Sequence, residues 1–250
     1  QAATVEMRLE PPDHLLRELS FDIDAGTIVE IDGDGDRQVS ANHVRWLPAR
    51  KGGRLSWNAK LSNARDDGEF DALLVDDWGI FRAEDLIPRA RTRTLKGSIS
   101  KTTMQFDLPP GWSVITEYAE TNEKMSVDNA DRRFDQPSGW IAVGRLGVRR
   151  ETIAGTRVAI AAPLGQSVRR MDKLALLNWT LPELNTILPD ALPRLTIISA
   201  DDPMWRGGLS APASIYIHSD RPLISENATS TLTDIHITGN SISFARTDGA

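Results

Sequence analysis

The chain has 250 residues, 40% of them hydrophobic and 26% charged, with a formal net charge of −6 and a pI near 5.3. That length holds one large domain or two modest ones, and the absence of a basic block argues against nucleic acid as a partner. There is no cysteine, so disulfides, thiolate catalysis and cysteine-bound zinc are excluded, and any imidazole chemistry rests on His14, His43, His218 or His236.

From residue 3 to about 165 the sequence reads as short strands divided by turns. TVEMRLEPP alternates and ends on a Pro pair. GTIVEIDGDGDRQVSA sets two β-rich runs around a Gly/Asp turn, which predicts a hairpin. Asp32, Asp34 and Asp36 share the spacing of a calcium loop, but Arg37 stands where that loop needs Gly and His43 where it needs Glu. The run therefore reads as a solvated turn. GRLSWNAKLS places Leu55, Trp57, Ala59 and Leu61 on one face. DALLVDDWGIFRAEDLIPRA carries Asp76, Asp77, Glu84 and Asp85 beside Arg82, Arg89 and Arg91. Loop charges paired with arginines are expected there, with acid–base carboxylates as the alternative, and Trp78 and Phe81 are expected to anchor the loop. TRTLKGSISKTTMQFDLPPGWSVITEYAE and GWIAVGRLGVRRETIAGTRVAIAAP continue the alternation.

The character changes near residue 165. SVRRMDKLALLNWTLPELNTILPDALPR predicts a helix with Val168, Met171, Leu174, Leu177 and Leu181 on one face, Ser167 as its cap and Pro182 as a break or kink. RLTIISA and ASIYIHS read as strands around the loop DDPMWRGGLSAP, where Trp205 beside Gly207 and Gly208 is a candidate ligand contact. STLTDIHITG alternates Leu232, Asp234 and His236 against Thr233, Ile235 and Ile237, and SISFART alternates after Gly239-Asn240. Local pattern thus makes 230–247 a β-hairpin. The predicted fold is mainly β: an antiparallel β-sandwich over 1–165, then a smaller mixed α/β segment over 166–250. No apolar run approaches the roughly 20 residues of a bilayer span. A start at Gln1 without Met is what a trimmed, periplasmic or secreted protein would show.

DGEFDALLVDDWGIFRAEDLIPRA followed by LPPGWSV resembles the N-terminal β-domain of bacterial glycyl-aminopeptidase-like metallopeptidases, in the gluzincin group with aminopeptidase N and thermolysin. The helix and SIYIHSDRPLISENATSTLT resemble the start of their thermolysin-like catalytic domain. The resemblance implies a substrate-facing edge strand at 213–219, with Ser214, Tyr216 and His218 meeting an extended peptide. It then implies a helix bearing His-Glu-x-x-His, and a third zinc ligand, a Glu, on the next helix after RTDGA.

That chemistry needs two His four residues apart on one helical face and a Glu to take a proton from the metal-bound water. This sequence has no such motif. Placing Asp234 at the first His puts Ile235 at the Glu and Thr238 at the second His. Placing His236 at the second His puts Leu232 and Thr233 at the His-Glu pair. The expectation is a metallopeptidase-related protein without a complete zinc site, inactive alone or binding peptide, with no catalytic residue assigned. Its cofactor is either none or a zinc on His218, Asp234 and His236, and position 230–247 is a helix by family and a hairpin by pattern. The competing readings are a non-enzymatic β-sandwich interaction module of the bacterial envelope and a carbohydrate-binding sandwich, and oligomeric state stays open.

Overall fold

The computed structural model describes residues 1–9, 15–24, 26–118, 124–127, 134–187 and 192–221, and the backbone of 234–238 and 241–245. The first elements are β1 (Ala2–Leu9), β2 (Leu16–Asp22), β3 (Ile28–Gly33), β4 (Asp36–Val39), β5 (His43–Leu47), β6 (Gly53–Lys60), β7 (Ser62–Ala64), β8 (Phe70–Leu74) and β9 (Trp78–Arg82). Then come the one-turn α1 (Ala83–Leu86), β10 (Ala90–Thr94), β11 (Thr102–Met104), β12 (Ser113–Ile115), β13 (Met125–Val127), β14 (Trp140–Gly144), β15 (Leu146–Ile153) and β16 (Thr156–Pro163). The chain continues through α2 (Arg170–Ile187), β17 (Arg194–Ile198), β18 (Gly208–Ala211), β19 (Ser214–Ile217), β20 (Asp234–Thr238) and β21 (Ser241–Ala245). His14 lies outside the described residues.

Two compact units form, and neither is continuous in sequence. The first takes Gln1–Ser62, Arg82–Gln105 and Lys124–Pro137; the second takes Asn63–Phe81, Phe106–Glu123 and Ser138–Ala250. A division at 165 does not follow these units, because β16 before it and β17 after it are parallel neighbours, with Ile160 beside Ile197. Parallel strands need a long crossover, here through α2, and no local window reveals which strands it joins.

The first unit is the expected antiparallel sandwich. One sheet runs β1-β6-β3 and another β10-β2-β5-β4, with β11 paired to β13. Strand β6 shows why: Leu55, Trp57 and Ala59 are buried while Arg54, Ser56 and Asn58 between them stay partly exposed. Leu61, next in the alternation, is buried as well. Trp57 meets Phe21 of the other sheet at 5.5 Å between ring centroids, and its indole N–H donates to the Leu86 carbonyl at 2.8 Å. The two sheets thereby close on one aromatic core.

The expected hairpin around Asp34 and Gly35 does not form. Strand β3 pairs with β6 and β4 with β5, so this turn carries the chain from one sheet to the other. The Asp34 carbonyl accepts the Trp46 indole N–H at 2.6 Å and its carboxylate accepts the Arg54 N–H at 3.2 Å, which fixes the corner. Asp32 pairs with Arg37 at 2.8 Å and Arg54 at 3.2 Å. In the 71–90 stretch, the Asp85 carboxylate accepts the Arg82 backbone N–H at 2.7 Å and starts α1, Glu84 lies 3.9 Å from Arg89, and Phe81 is buried.

The second unit holds one sheet ordered β12-β14-β9-β8-β7, in which β12–β14 and β8–β9 are antiparallel, and a mixed sheet, β15-β16-β17-β19-β18. Strands β16, β17 and β19 are parallel, while β15 and β18 run antiparallel to their neighbours. Helix α2 covers one face of the mixed sheet, packing Leu174, Leu177, Leu181 and Leu184 on Val158, Ile160, Leu195, Ile197, Ile215 and Ile217. The other sheet covers the opposite face through Leu73, Ile80, Trp140 and Ala142 against Ile198, Ala200 and Tyr216. Trp140 and Tyr216 meet at 5.2 Å between ring centroids. Helix α2 continues through Pro182 and starts at Arg170, so Ser167 lies outside it. Met171, expected on the inner face, is 63% exposed.

Strands β20 and β21 form an antiparallel pair, with His236 opposite Ser243 and Ile237 opposite Ile242. The hairpin read from Thr/Ile alternation is therefore the observed structure, and the helix implied by family position is not. Among the described residues no helix is long and apolar enough to cross a membrane.

Candidate functional site

In open sheets with parallel strands, ligands gather beyond the carboxyl ends of those strands. In the mixed sheet, β17 and β19 end at Ile198 and Ile217. The residues beyond them are polar: Ser199, Asp201 and Asp202 after β17, then His218, Ser219 and Asp220 after β19. The Ser219 N–H donates to the Ala200 carbonyl at 3.0 Å, which extends the ladder and holds the two ends side by side. Ala200 stands opposite His218 in that register, so His218 points to the same face as Tyr216, away from α2.

His218 is fully buried. Its Nδ1 accepts the Asp220 backbone N–H at 3.2 Å, and its Nε2 lies 3.5 Å from Asp202 Oδ1 without a hydrogen bond of good geometry. As an acceptor Nδ1 carries no proton, and Nε2 faces the Asp202 carboxylate.

Asp202 is held from its other side. Arg206 Nε donates to Asp202 Oδ1 at 2.8 Å and Arg206 Nη2 pairs with Oδ2, a two-pronged contact that keeps the Asp202 carboxyl below the usual carboxylate range. The same contact raises the Arg206 guanidinium above its ordinary value. Glu69 accepts the Arg206 backbone N–H at 3.1 Å, and Arg221 Nε donates to the Arg206 carbonyl at 2.9 Å. The approach to β8 is stitched to this loop by Phe70 N–H to Pro203 O at 3.0 Å and Trp205 N–H to Phe70 O at 2.9 Å. The result is a rim of Glu69, Asp202 and Asp220 interleaved with Arg206 and Arg221. It can hold charged or hydrogen-bonding groups, but its acid–base members are already committed to one another.

The residues singled out in the sequence fall as follows. Strand 213–219 is not an edge: β19 pairs with β17 on one side and β18 on the other, and β18 is the outer strand. Ser214, Tyr216 and His218 are all buried. Ser214 Oγ accepts the Trp140 N–H at 2.8 Å and donates to Pro212 O at 3.0 Å. The Tyr216 hydroxyl donates to Trp205 O at 3.0 Å, and burial pushes that phenol above its ordinary range. All three side chains lie in the interior, and those of Ser214 and Tyr216 hydrogen-bond to neighbouring backbone groups. Trp205 is half-buried, with the Arg65 guanidinium 4.7 Å over one face of its ring. His43 pairs with Asp22 at 2.8 Å on the first unit's surface.

The side chains of Asp234 and His236 lie outside the described residues. Among the described residues no group of three His, Asp or Glu side chains is arranged to hold a metal ion. His218 Nδ1 is occupied by the Asp220 N–H, while among the described residues the buried Nε2 has no hydrogen-bond partner. Asp202, Arg206 and Glu69 escaped the sequence reading because no motif links them, although Asp202 and Arg206 carry opposite charges four residues apart.

No protein-family model and no curated protein sequence matches this chain. Among solved structures, an aminopeptidase N family protein from Idiomarina loihiensis superposes with a TM-score of 0.64 at 14% identity, over 92% of this chain and 42% of that one. Legionella pneumophila aminopeptidase A, in complex with aspartic acid, superposes with a TM-score of 0.50 at 12% identity, over 86% of this chain and 28% of that one. The chain thus shares the fold of part of these aminopeptidases and spans less than half of their length.

Proposed function

We propose that this chain is a peptidase-related, peptide-binding segment whose own 250 residues do not assemble a zinc hydrolytic centre. The observation that carries the reading is β20. A paired-imidazole clamp needs His residues one helical turn apart, and Asp234–Thr238 is a strand without the second His or the Glu. The shared fold supports the relation to aminopeptidases.

Peptide binding in this reading uses β18, the outer strand of the mixed sheet, since an extended chain adds most readily to a sheet edge. The backbone of β21 lies alongside β18 without joining its ladder, so a bound peptide competes with that hairpin for the edge. Two measurements on the purified chain test the proposal. Hydrogen exchange with a saturating unstructured hexapeptide is expected to slow the amides of Gly208–Ala211. Aminopeptidase assays with added zinc are expected to show no chelator-sensitive turnover. Unchanged exchange would overturn the binding half, and chelator-sensitive cleavage would overturn the other.

A further inference from the structure

The amino end of α2 stands beside the carboxyl end of β17. The Asp201 N–H donates to Gln166 Oε1 at 3.0 Å, and the Asp201 carboxylate accepts the Ser167 N–H at 3.4 Å. Helix and strand thus run in opposite directions, and Leu177 and Ile197 belong to one packed cluster between them. One step past Ile197 on the same face of the strand, about 7 Å on, is Ser199. One turn before Leu177 on the helix, about 6 Å on in the same direction, is Lys173. The Ser199 N–H still donates to the Ala161 carbonyl at 2.9 Å, so the strand alternation holds and its side chain faces α2. Helical side chains lean toward the amino end, which brings Lys173 to the same place.

Ser199 and Lys173 are both buried, at 0% and 1% exposure. Among the described residues the Ser199 hydroxyl has no hydrogen-bond partner. The carboxylate acting on the Lys173 ammonium is that of Asp172, which pairs with Arg169 at 3.5 Å on the surface, and Arg170 acts against it. The sheet is shallow beneath the pair: Ala162 is the β16 neighbour of Ser199, where one row deeper Ile160 is the neighbour of Ile197. A buried ammonium and a buried hydroxyl therefore meet under the positive end of an 18-residue helix, whose first-turn amides have no partner within the helix. Buried polar groups in such an arrangement call for an acceptor.

We propose that Lys173, Ser199 and the first turn of α2 bind a small monovalent anion, a halide or a carboxylate. Charge and size set the class. One ammonium and the partial charge of a helix end match one negative charge, and a place closed by two fully buried side chains takes no bulky ligand. This site lies on the α2 face of the sheet, away from the β18 edge, and stands whether or not peptide binds.

Urea unfolding at pH 7 in rising sodium bromide, and separately in rising sodium formate, tests this, because a ligand held only by the folded chain raises its stability along a binding isotherm. The parent chain is expected to show a saturable gain in at least one series; both salts acting points to charge alone, and formate acting alone points to a carboxylate. Ser199→Ala and Lys173→Met are each expected to weaken the apparent affinity about tenfold or more. Arg8→Met, which removes an exposed charge in the first unit, is expected to leave it unchanged. Circular dichroism without added anion confirms that each variant is folded. Amide signals of Ser199 and Arg170–Lys173 are expected to move along the same isotherm. No saturable gain in either series, equal gains in the site variants, or shifts confined to exposed arginines, the mark of an adventitious ion only, would overturn the proposal.

Discussion

Lys173 lies on the inner face of α2 at 1% exposure, one residue from Leu174. Burial pushes its ammonium down from 10.5 to about 8, with Asp172 opposing the shift and Arg170 adding to it. The folded chain therefore binds this proton less readily than the unfolded chain does. Between about pH 8 and 10.5 the unfolded state carries more protons, and stability rises with pH across that window. Below it the cost of the buried charge is fully present. Lys173→Met keeps the length of the side chain without the charge. It is expected to stabilise the chain at pH 7 by about 1–3 kcal/mol, and the difference should fade toward pH 10.5. Urea denaturation of both proteins at pH 7 and pH 10 reads it directly. Gly144 is the opposite case, a residue that tolerates nothing added. Its φ is +127°, and a Cβ there would overlap the Asp77 carbonyl oxygen and Trp78 Cα. Gly144→Ala is expected to cost at least about 2 kcal/mol in the same assay.

Among elements, strands with one wet face were legible in the sequence and strand neighbours were not. Leu55, Trp57, Ala59 and Leu61 announced their shared face because alternation is a local signal. The β20–β21 hairpin was legible for the same reason, from Thr and Ile around Gly239-Asn240. By contrast, SIYIHS reads as an edge strand only until β18 is seen to fold back beside it, and the Gly/Asp corner at 34–35 looks like a hairpin only until its strands are seen in different sheets. The rim beyond β17 and β19 was illegible because its contacts are long-range: Glu69 and Arg206 meet across 137 residues of sequence. Periodicity also misplaced Met171, because it finds an apolar stripe on α2 without saying which of two stripes faces inward. The tie between β14 and β18 makes a test at this scale. The Trp140 indole N–H donates to the Leu209 carbonyl at 2.9 Å. Trp140→Phe keeps most of the ring packing and removes that bond, with an expected cost of about 1–2 kcal/mol. Faster amide exchange in Gly208–Ala211 than in β16 would locate the loss at the outer strand.

For the molecule as a whole, the governing feature is that both units are built from interleaved segments. A fragment ending at residue 165 retains every segment of the first unit and loses α2, β17, β18 and β19 from the second. Val158 and Ile160 then lose Leu174, Leu177 and Ile197, which cover them in the intact chain. Fragment 1–165 is expected to show dispersed amide signals for the first unit alone, with the residues of 138–165 collapsed into the unfolded range of the spectrum. A fully dispersed spectrum would mean that the helix crossover is dispensable.

The same interleaving sets an order of assembly on the ribosome. Strands β8 and β9 leave the exit tunnel early, yet Leu73 and Ile80 find Ile198 and Tyr216 only after β19 has been made, its last residue Ile217 lying 135 residues past Arg82. At ordinary translation speeds that wait is on the order of ten seconds. Through it, a nascent chain holds two finished apolar strands with nothing to lie against, and holdase chaperones are the natural cover for that interval.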